Sequence, residues 1–215
     1  HKKQKGDCRK NINQSDNSGW TPLTLAVFIE NLDLINCILD QGTKYFDLDI
    51  NQSTNLCKHS KELENMGGTP LYIASRNGNL EIFKLLIRYG AHLTKVSLCH
   101  GQSPIHIAAT YDHIDIVQEL CKLAPLTINV VTNGLICNGD TSLIIACREG
   151  HFDIAITLIN EHADVNKCNK SNETPLNVCC YAKNSRICST NSDKNSNDYD
   201  DNNNNNNNND NNIST

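Results

Sequence analysis

One phrase occurs five times in this chain: Thr21-Pro22-Leu23, Thr69-Pro70-Leu71, Ser103-Pro104-Ile105, Thr141-Ser142-Leu143 and Thr174-Pro175-Leu176. Successive starts lie 48, 34, 38 and 33 residues apart, a period near 33 lengthened most by two insertions. A repeat of this size marks stacked supersecondary units, because each unit can bury its apolar side only against its neighbours. The chain is therefore expected to be a solenoid, and recognition along its surface is the first functional expectation.

The residues after each phrase predict two short antiparallel helices. Five residues beyond the Thr or Ser stands a small residue, Ala26, Ala74, Ala108, Ala146 or Cys179. Next comes a position suited to left-handed backbone, filled by Gly78, Gly150, Asp112 and, less comfortably, Glu30. The second helix carries paired apolar residues one turn apart: Leu34, Ile35, Ile38, Leu39; Ile82, Phe83, Leu86, Ile87; Ile116, Val117, Leu120, Cys121; Ile154, Ala155, Leu158, Ile159. That spacing makes one buried stripe on a helix. In the fifth copy Ile187 and Cys188 are followed by Asn191 and Ser192, so the stripe stops there. Thr or Ser caps each first helix, with Pro just inside the start in four of the five copies, and Gly42 and Gly90 are expected to release the second helix through positive φ, with His162 a poorer exit.

Gly19-Trp20-Thr21-Pro22-Leu23, Gly101-Gln102-Ser103-Pro104-Ile105-His106-Ile107-Ala108-Ala109 and Glu149-Gly150-His151-Phe152-Asp153-Ile154 resemble the ankyrin repeat consensus. Arg88-Tyr89-Gly90-Ala91 and His162-Ala163-Asp164-Val165-Asn166 resemble its helix exit and finger. The resemblance covers about residues 11 to 188 and implies an all-α solenoid of helix-turn-helix units with β-hairpin fingers. The units are read as 19–50, 67–98, 101–127, 139–168 and a partial 172–188, with insertions at 43–68 and 124–138. Residues 1–18 are read as a polar, basic lead-in ending in the tail of a preceding repeat, since Asn13 and Asp16 fit such a tail. With His1 as first residue, the chain reads as part of a longer protein. Residues 189–215, with their Asn run, are expected to be disordered.

The insertions differ in character. Thr43 to Gly68 is polar and reads as a surface excursion, which an array tolerates because loop closure costs grow only logarithmically. In the other, Ile128-Asn129-Val130-Val131 and Leu135-Ile136-Cys137 flank Thr132-Asn133-Gly134, the pattern of a two-stranded hairpin.

The resemblance implies a concave binding surface made from finger tips and the ends of the first helices. Mapped onto this sequence, its residues are Trp20, Phe28, Ile29, Arg76, Asn77, Gln102, Tyr111, Leu135, Asp140, Arg148 and Glu149, beside Thr110 and Glu173. Trp, Tyr and Arg dominate binding hot spots once a partner desolvates them. The competing reading is that Trp20 and Phe28 cover the end of the array.

Other function classes find less support. His106, His113 and His151 stand where ankyrin units carry His for local hydrogen bonding, and no phosphate-cradling glycine motif occurs, so a non-catalytic protein without cofactor is expected. Eleven Cys, an odd number without Cys-x-x-Cys spacing, point away from a disulfide framework or a zinc site. A net charge of −5 disfavours phosphate backbones, and no apolar run reaches membrane-span length. The expectation is a monomeric cytoplasmic or nuclear scaffold or adaptor that binds a protein. Thr141 to Cys147 leading into Gly150 to Ala155, together with the long insertion, is also similar to feminisation-family substrate receptors of cullin ubiquitin ligases. A regulatory segment of a larger enzyme or channel is the remaining alternative.

Overall fold

The computed structural model describes residues 12–54, 67–98, 100–134 and 138–181. In chain order the helices are α1 (Pro22–Phe28), α2 (Leu32–Tyr45), α3 (Pro70–Asn77), α4 (Leu80–Arg88), α5 (Pro104–Thr110), α6 (Ile114–Leu123), α7 (Ser142–Glu149), α8 (Phe152–Asn160) and α9 (175–181). A 3-10 turn, Pro125–Thr127, follows α6. The middle of the first insertion, the lead-in before Ile12, Leu135 to Cys137, the partial second helix of the fifth copy and the Asn-rich tail lie outside the described residues.

Each repeated phrase opens a helix, for the reason its residue types suggest. The hydroxyls of Thr21, Thr69 and Thr141 each accept a backbone N–H from three residues on, at 3.2 Å. These bonds satisfy donors that a helix start leaves orphaned. The first helix ends in the foreseen left-handed residue, with φ of 57° at Glu30, 77° at Gly78, 62° at Asp112 and 81° at Gly150. Asn31 and Asn79 then cap α2 and α4.

The units stack as the pattern requires. α1, α3, α5 and α7 pack side by side as one row, and α4, α6 and α8 form a second row behind it. The small residues Ala26, Ala74, Ala108 and Ala146 are buried where neighbouring helices of the first row approach. Ile82, Phe83 and Leu86, then Ile116, Val117, Leu120 and Cys121, then Ile154, Ala155 and Leu158 are buried between the rows. The stripe is incomplete at the two ends, where Leu34 and Ile159 are exposed.

Two local expectations are corrected. α2 does not end at Gly42 but runs to Tyr45, and the left-handed exit falls at Asp47, with φ of 52°. Gly42 is needed for space rather than for its φ: a Cβ there would lie 2.9 Å from Leu48 Cδ2 and 3.1 Å from Ile12 Cδ1. Gly90 and His162 do exit through positive φ.

The segment Thr132-Asn133-Gly134 does not join strands in the expected register. A hairpin closed there would pair Val131 with Leu135, which lies with Ile136 and Cys137 outside the described residues, whereas Val131 bridges Thr141 and the Thr132 N–H donates to the Asp140 carbonyl at 2.9 Å. Ile128, placed in the expected first strand, instead closes the 3-10 turn in right-handed helical backbone. The Asn133 N–H is taken by the Gly101 carbonyl at 3.2 Å, and a Cβ on Gly134 would meet the His100 carbonyl carbon at 2.3 Å. Contact with the preceding finger therefore overrides the local turn preference.

Candidate protein-binding surface

The ends of the first helices carry the side chains that were mapped as a recognition face. In unit one the Trp20 and Phe28 rings lie 4.9 Å apart, tilted by 40°. The Asn77 side chain, at the end of α3, donates to the Phe28 carbonyl at 3.3 Å and so ties unit one to unit two. The Arg76 guanidinium lies over the Tyr111 ring, 5.1 Å from its centroid, and ties unit two to unit three. Tyr111 in turn stacks on His113 with centroids 6.5 Å apart. Trp20, Phe28, Asn77, Arg76 and Tyr111 thus form one linked strip across three units.

The histidines earn their places as struts. His113 Nε2 donates to the Arg76 carbonyl at 2.7 Å, and His151 Nε2 donates to the Thr110 carbonyl at 3.1 Å. Each satisfies a carbonyl at the end of the preceding unit's first helix, where intrahelical donors run out. His106 is fully buried, with Nδ1 accepting the Ser103 N–H at 3.2 Å and Nε2 donating to the Val130 carbonyl at 3.0 Å. Burial pushes its pKa down to about 4, so it is neutral at physiological pH.

A second cluster sits at unit four, and one mapped residue changes role there. Asp140 is buried, ion-paired with Arg148, and accepts from Asn169 Nδ2 at 2.8 Å. Burial acts to raise the Asp140 carboxyl, but the hydrogen bonds from Arg148 and Asn169 outweigh it and hold the group below its ordinary value. Asp140 therefore does not belong among the presented residues, and it fixes the guanidinium of Arg148, which also reaches Glu173 at 3.5 Å. Gln102 accepts from the Tyr72 hydroxyl at 3.2 Å, Glu149 is exposed at the end of α7, and Leu135 lies outside the described residues.

Trp20 and Ile29 serve a second surface as well. Together with Leu25, Leu34, Ile38 and Phe46 they line a groove of 860 Å³ on the outer side of unit one. The sequence anticipated an end-covering role for Trp20 and Phe28, and the Trp20 ring does stand at that end.

One recurring contact escaped the sequence reading. Asn51 accepts the His92 N–H at 2.8 Å and Asn129 accepts the Asp164 N–H at 2.8 Å, each bracketing the exit of the next unit. Asn13 does the same for unit one, accepting the Asp49 N–H at 2.8 Å and donating to the Asp47 carbonyl at 2.9 Å. The dipeptide Ile-Asn at 12–13, 50–51 and 128–129 is the signal that marks it.

Among the described residues, no group of three or more His, Cys, Asp or Glu is placed to hold a metal ion, and no helix is long and apolar enough to cross a membrane. Burial pushes the Cys121 thiol up to about 11 and, with a hydrogen bond to Cys179, the Cys147 thiol up to about 12. Neither is a ready thiolate nucleophile.

Comparison with known proteins agrees with the architecture. The family model for ankyrin repeats in three copies matches residues 48–133 and 123–198. A probable 26S proteasome regulatory subunit p28 of Saccharomyces cerevisiae is 29% identical over 147 residues, covering 68% of this chain and 57% of that protein. A B-cell lymphoma 3 protein homolog of Mus musculus is 26% identical over 191 residues, covering 79% and 42% respectively. A probable E3 ubiquitin-protein ligase XBOS32 of Oryza sativa is 34% identical over 101 residues, covering 46% and 19%. The chain thus spans less than two thirds of these relatives. With the repeated helix pairs and the family match together, the chain belongs to the ankyrin repeat family, whose repeats are protein-interaction modules.

Proposed function

We propose that this chain is a non-catalytic scaffold or adaptor that grips a protein partner along the ends of α1, α3, α5 and α7 and the neighbouring fingers. The observation that carries the reading is the strip from Trp20 to Tyr111. It places two large aromatic rings, a tyrosine and a guanidinium on one line across three units, with Tyr111 exposed and Trp20 and Phe28 packed partly against the core. Cation–π and aromatic groups of this kind lose little entropy on binding and bury large areas. Arg148, oriented by Asp140, extends the face toward unit five. A cytoplasmic or nuclear location is part of the same proposal.

The test is capture from a lysate of the source cells with the full chain as bait, against an Arg76→Ala/Tyr111→Ala/Arg148→Ala triple variant. A protein retained by the first and lost by the second supports the reading. Equal retention by both baits removes the proposed face.

A second reading, a substrate receptor in the ubiquitin system, draws on the similarity to the rice ubiquitin-protein ligase and the yeast proteasome regulatory subunit. A ubiquitin ligase subunit co-purifying with the chain supports it, and a captured partner free of any such subunit refutes it.

A further inference from the structure

Each first-row helix buries two consecutive compact residues near its middle, and at the junction of units four and five these positions bring two cysteines together. Cys179 stands where α1, α3, α5 and α7 carry Ala26, Ala74, Ala108 and Ala146. Cys147 stands at the next position, where α1, α3 and α5 carry Val27, Ser75 and Ala109. These equivalents are all 1% exposed or less, because neighbouring first-row helices close over them. The Cys147 thiol is hydrogen-bonded to Cys179, although the two are thirty-two positions apart in sequence. Both lie within helices, so packed backbone holds the two sulfurs together.

The two thiols differ in access. Cys147 is 6% exposed, whereas Cys179 is half-buried and stands beside the exposed Cys180. An oxidant from solution therefore reaches Cys179 first. Burial and the bond to Cys179 keep Cys147 protonated, so it does not react ahead of its neighbour. Cys121, buried in α6, fills apolar space as a small hydrophobe. The pair differs from it because two sulfurs are in contact and one of them is reachable.

We propose that Cys147 and Cys179 form a reversible disulfide when the chain meets a hydroperoxide, so that units four and five are joined covalently in the oxidised protein. The Cys179 sulfur attacks the peroxide, the O–O bond breaks, and the thiol proton goes to the departing oxygen. Cys179 becomes a sulfenic acid, and the hydroperoxide becomes an alcohol, or water in the case of hydrogen peroxide. The Cys147 sulfur then attacks the Cys179 sulfur, the S–O bond breaks, and hydroxide leaves with the Cys147 proton as water. The two thiols have together lost two electrons and the peroxide has gained them. A dithiol restores both thiols by exchange.

Unit five gains most from the link. In the reduced protein Glu173, ahead of α9, accepts from Asn169 Nδ2 at 2.8 Å and from Arg148 at 3.5 Å, while Leu176 and Tyr181 on α9 itself are 71% and 68% exposed. The disulfide adds an anchor within α9 and restricts the unfolded chain.

The test treats the reduced 215-residue chain with hydrogen peroxide, alkylates the remaining thiols after unfolding, and maps linked peptides after proteolysis. A peptide joining Cys147 to Cys179 is expected, with a rise in melting temperature of about 5 °C that dithiothreitol reverses. Cys180→Ser should keep both results, and Cys179→Ser should abolish both. Cys147→Ala, the residue that α5 carries at this position, should fold and leave Cys179 as a sulfenic acid that dimedone labels. The proposal is overturned if peroxide links Cys179 to Cys180 or to a second chain, or if Cys147 remains open to alkylation while Cys179 is oxidised. It is equally overturned if the linked protein melts no higher than the reduced one. None of these measurements involves a partner, so failure here leaves the partner-binding face untouched.

Discussion

His106 should make the stability of this array depend on pH, and its size follows from its surroundings. The ring is fully buried, accepts from the Ser103 N–H at Nδ1 and donates to the Val130 carbonyl at Nε2, so both nitrogens are used by the neutral form. Protonation would put a second donor against the Ser103 N–H and a charge in a buried site, a cost that the nearby Asp140 carboxylate offsets only in part. Burial lowers the folded pKa from 6.5 to about 4. Between those values the unfolded chain binds more protons than the folded one, so stability rises with pH across this window and is lost as pH falls through it. The full difference corresponds to about 3 kcal/mol, and about 2 kcal/mol of it should disappear between about pH 7.5 and about pH 5. Urea denaturation at a series of pH values measures this directly, with His106→Gln as the reference that cannot titrate there. The variant should be less stable at neutral pH yet show a flatter profile between about pH 4 and about pH 6.5, and subtracting the two curves removes the carboxylates that titrate below. Parallel profiles for the two proteins would refute the assignment of a buried, neutral His106.

Three substitutions probe other features of the fold. Leu86→Asp places an unpaired charge at a fully buried position of unit two and should cost ~4 kcal/mol or more, read as loss of helical circular dichroism and of cooperative melting; native-like melting would sink the stacking account. At Gly78, where φ is 77° and a Cβ would lie 2.4 Å from the His113 ring, Ala should cost about 1–3 kcal/mol in thermal denaturation and disturb the bond from His113 to the Arg76 carbonyl. Asn51→Ala removes the bracket on the exit of unit two, including the bond to the His92 N–H, and should lower stability by about 1–2 kcal/mol in urea titration; an unchanged midpoint would show that the bracket does not contribute.

Much of the array was legible because its signals are local and repeated. The Thr/Ser phrase, the small residue, the left-handed turn and the paired stripe each depend on residues within one helix or one turn, and four copies vary around the same solution. The misreadings have a common physical origin. Gly42 looked like an exit because glycine tolerates positive φ, but Leu48 and Ile12 crowd its α-carbon and the helix runs past it. Asn133-Gly134 looked like a hairpin turn, but the carbonyl of Gly101, more than thirty residues away in sequence, takes the Asn133 N–H instead. Asp140 looked like a presented acid, and only the approach of Arg148 and Asn169 makes it a buried counter-ion.

By itself the sequence determined the repeat, the helix pairs, their caps and the stripe they bury, since these rest on backbone preferences and on the period of a helix. The tertiary structure decided what the neighbours of each unit do. Arg76 meets the Tyr111 ring, His113 and His151 hold the carbonyls of preceding units, and Leu25 stays exposed while its equivalents are covered. Those outcomes depend on which unit stands next to which, and backbone preferences within one unit do not specify that.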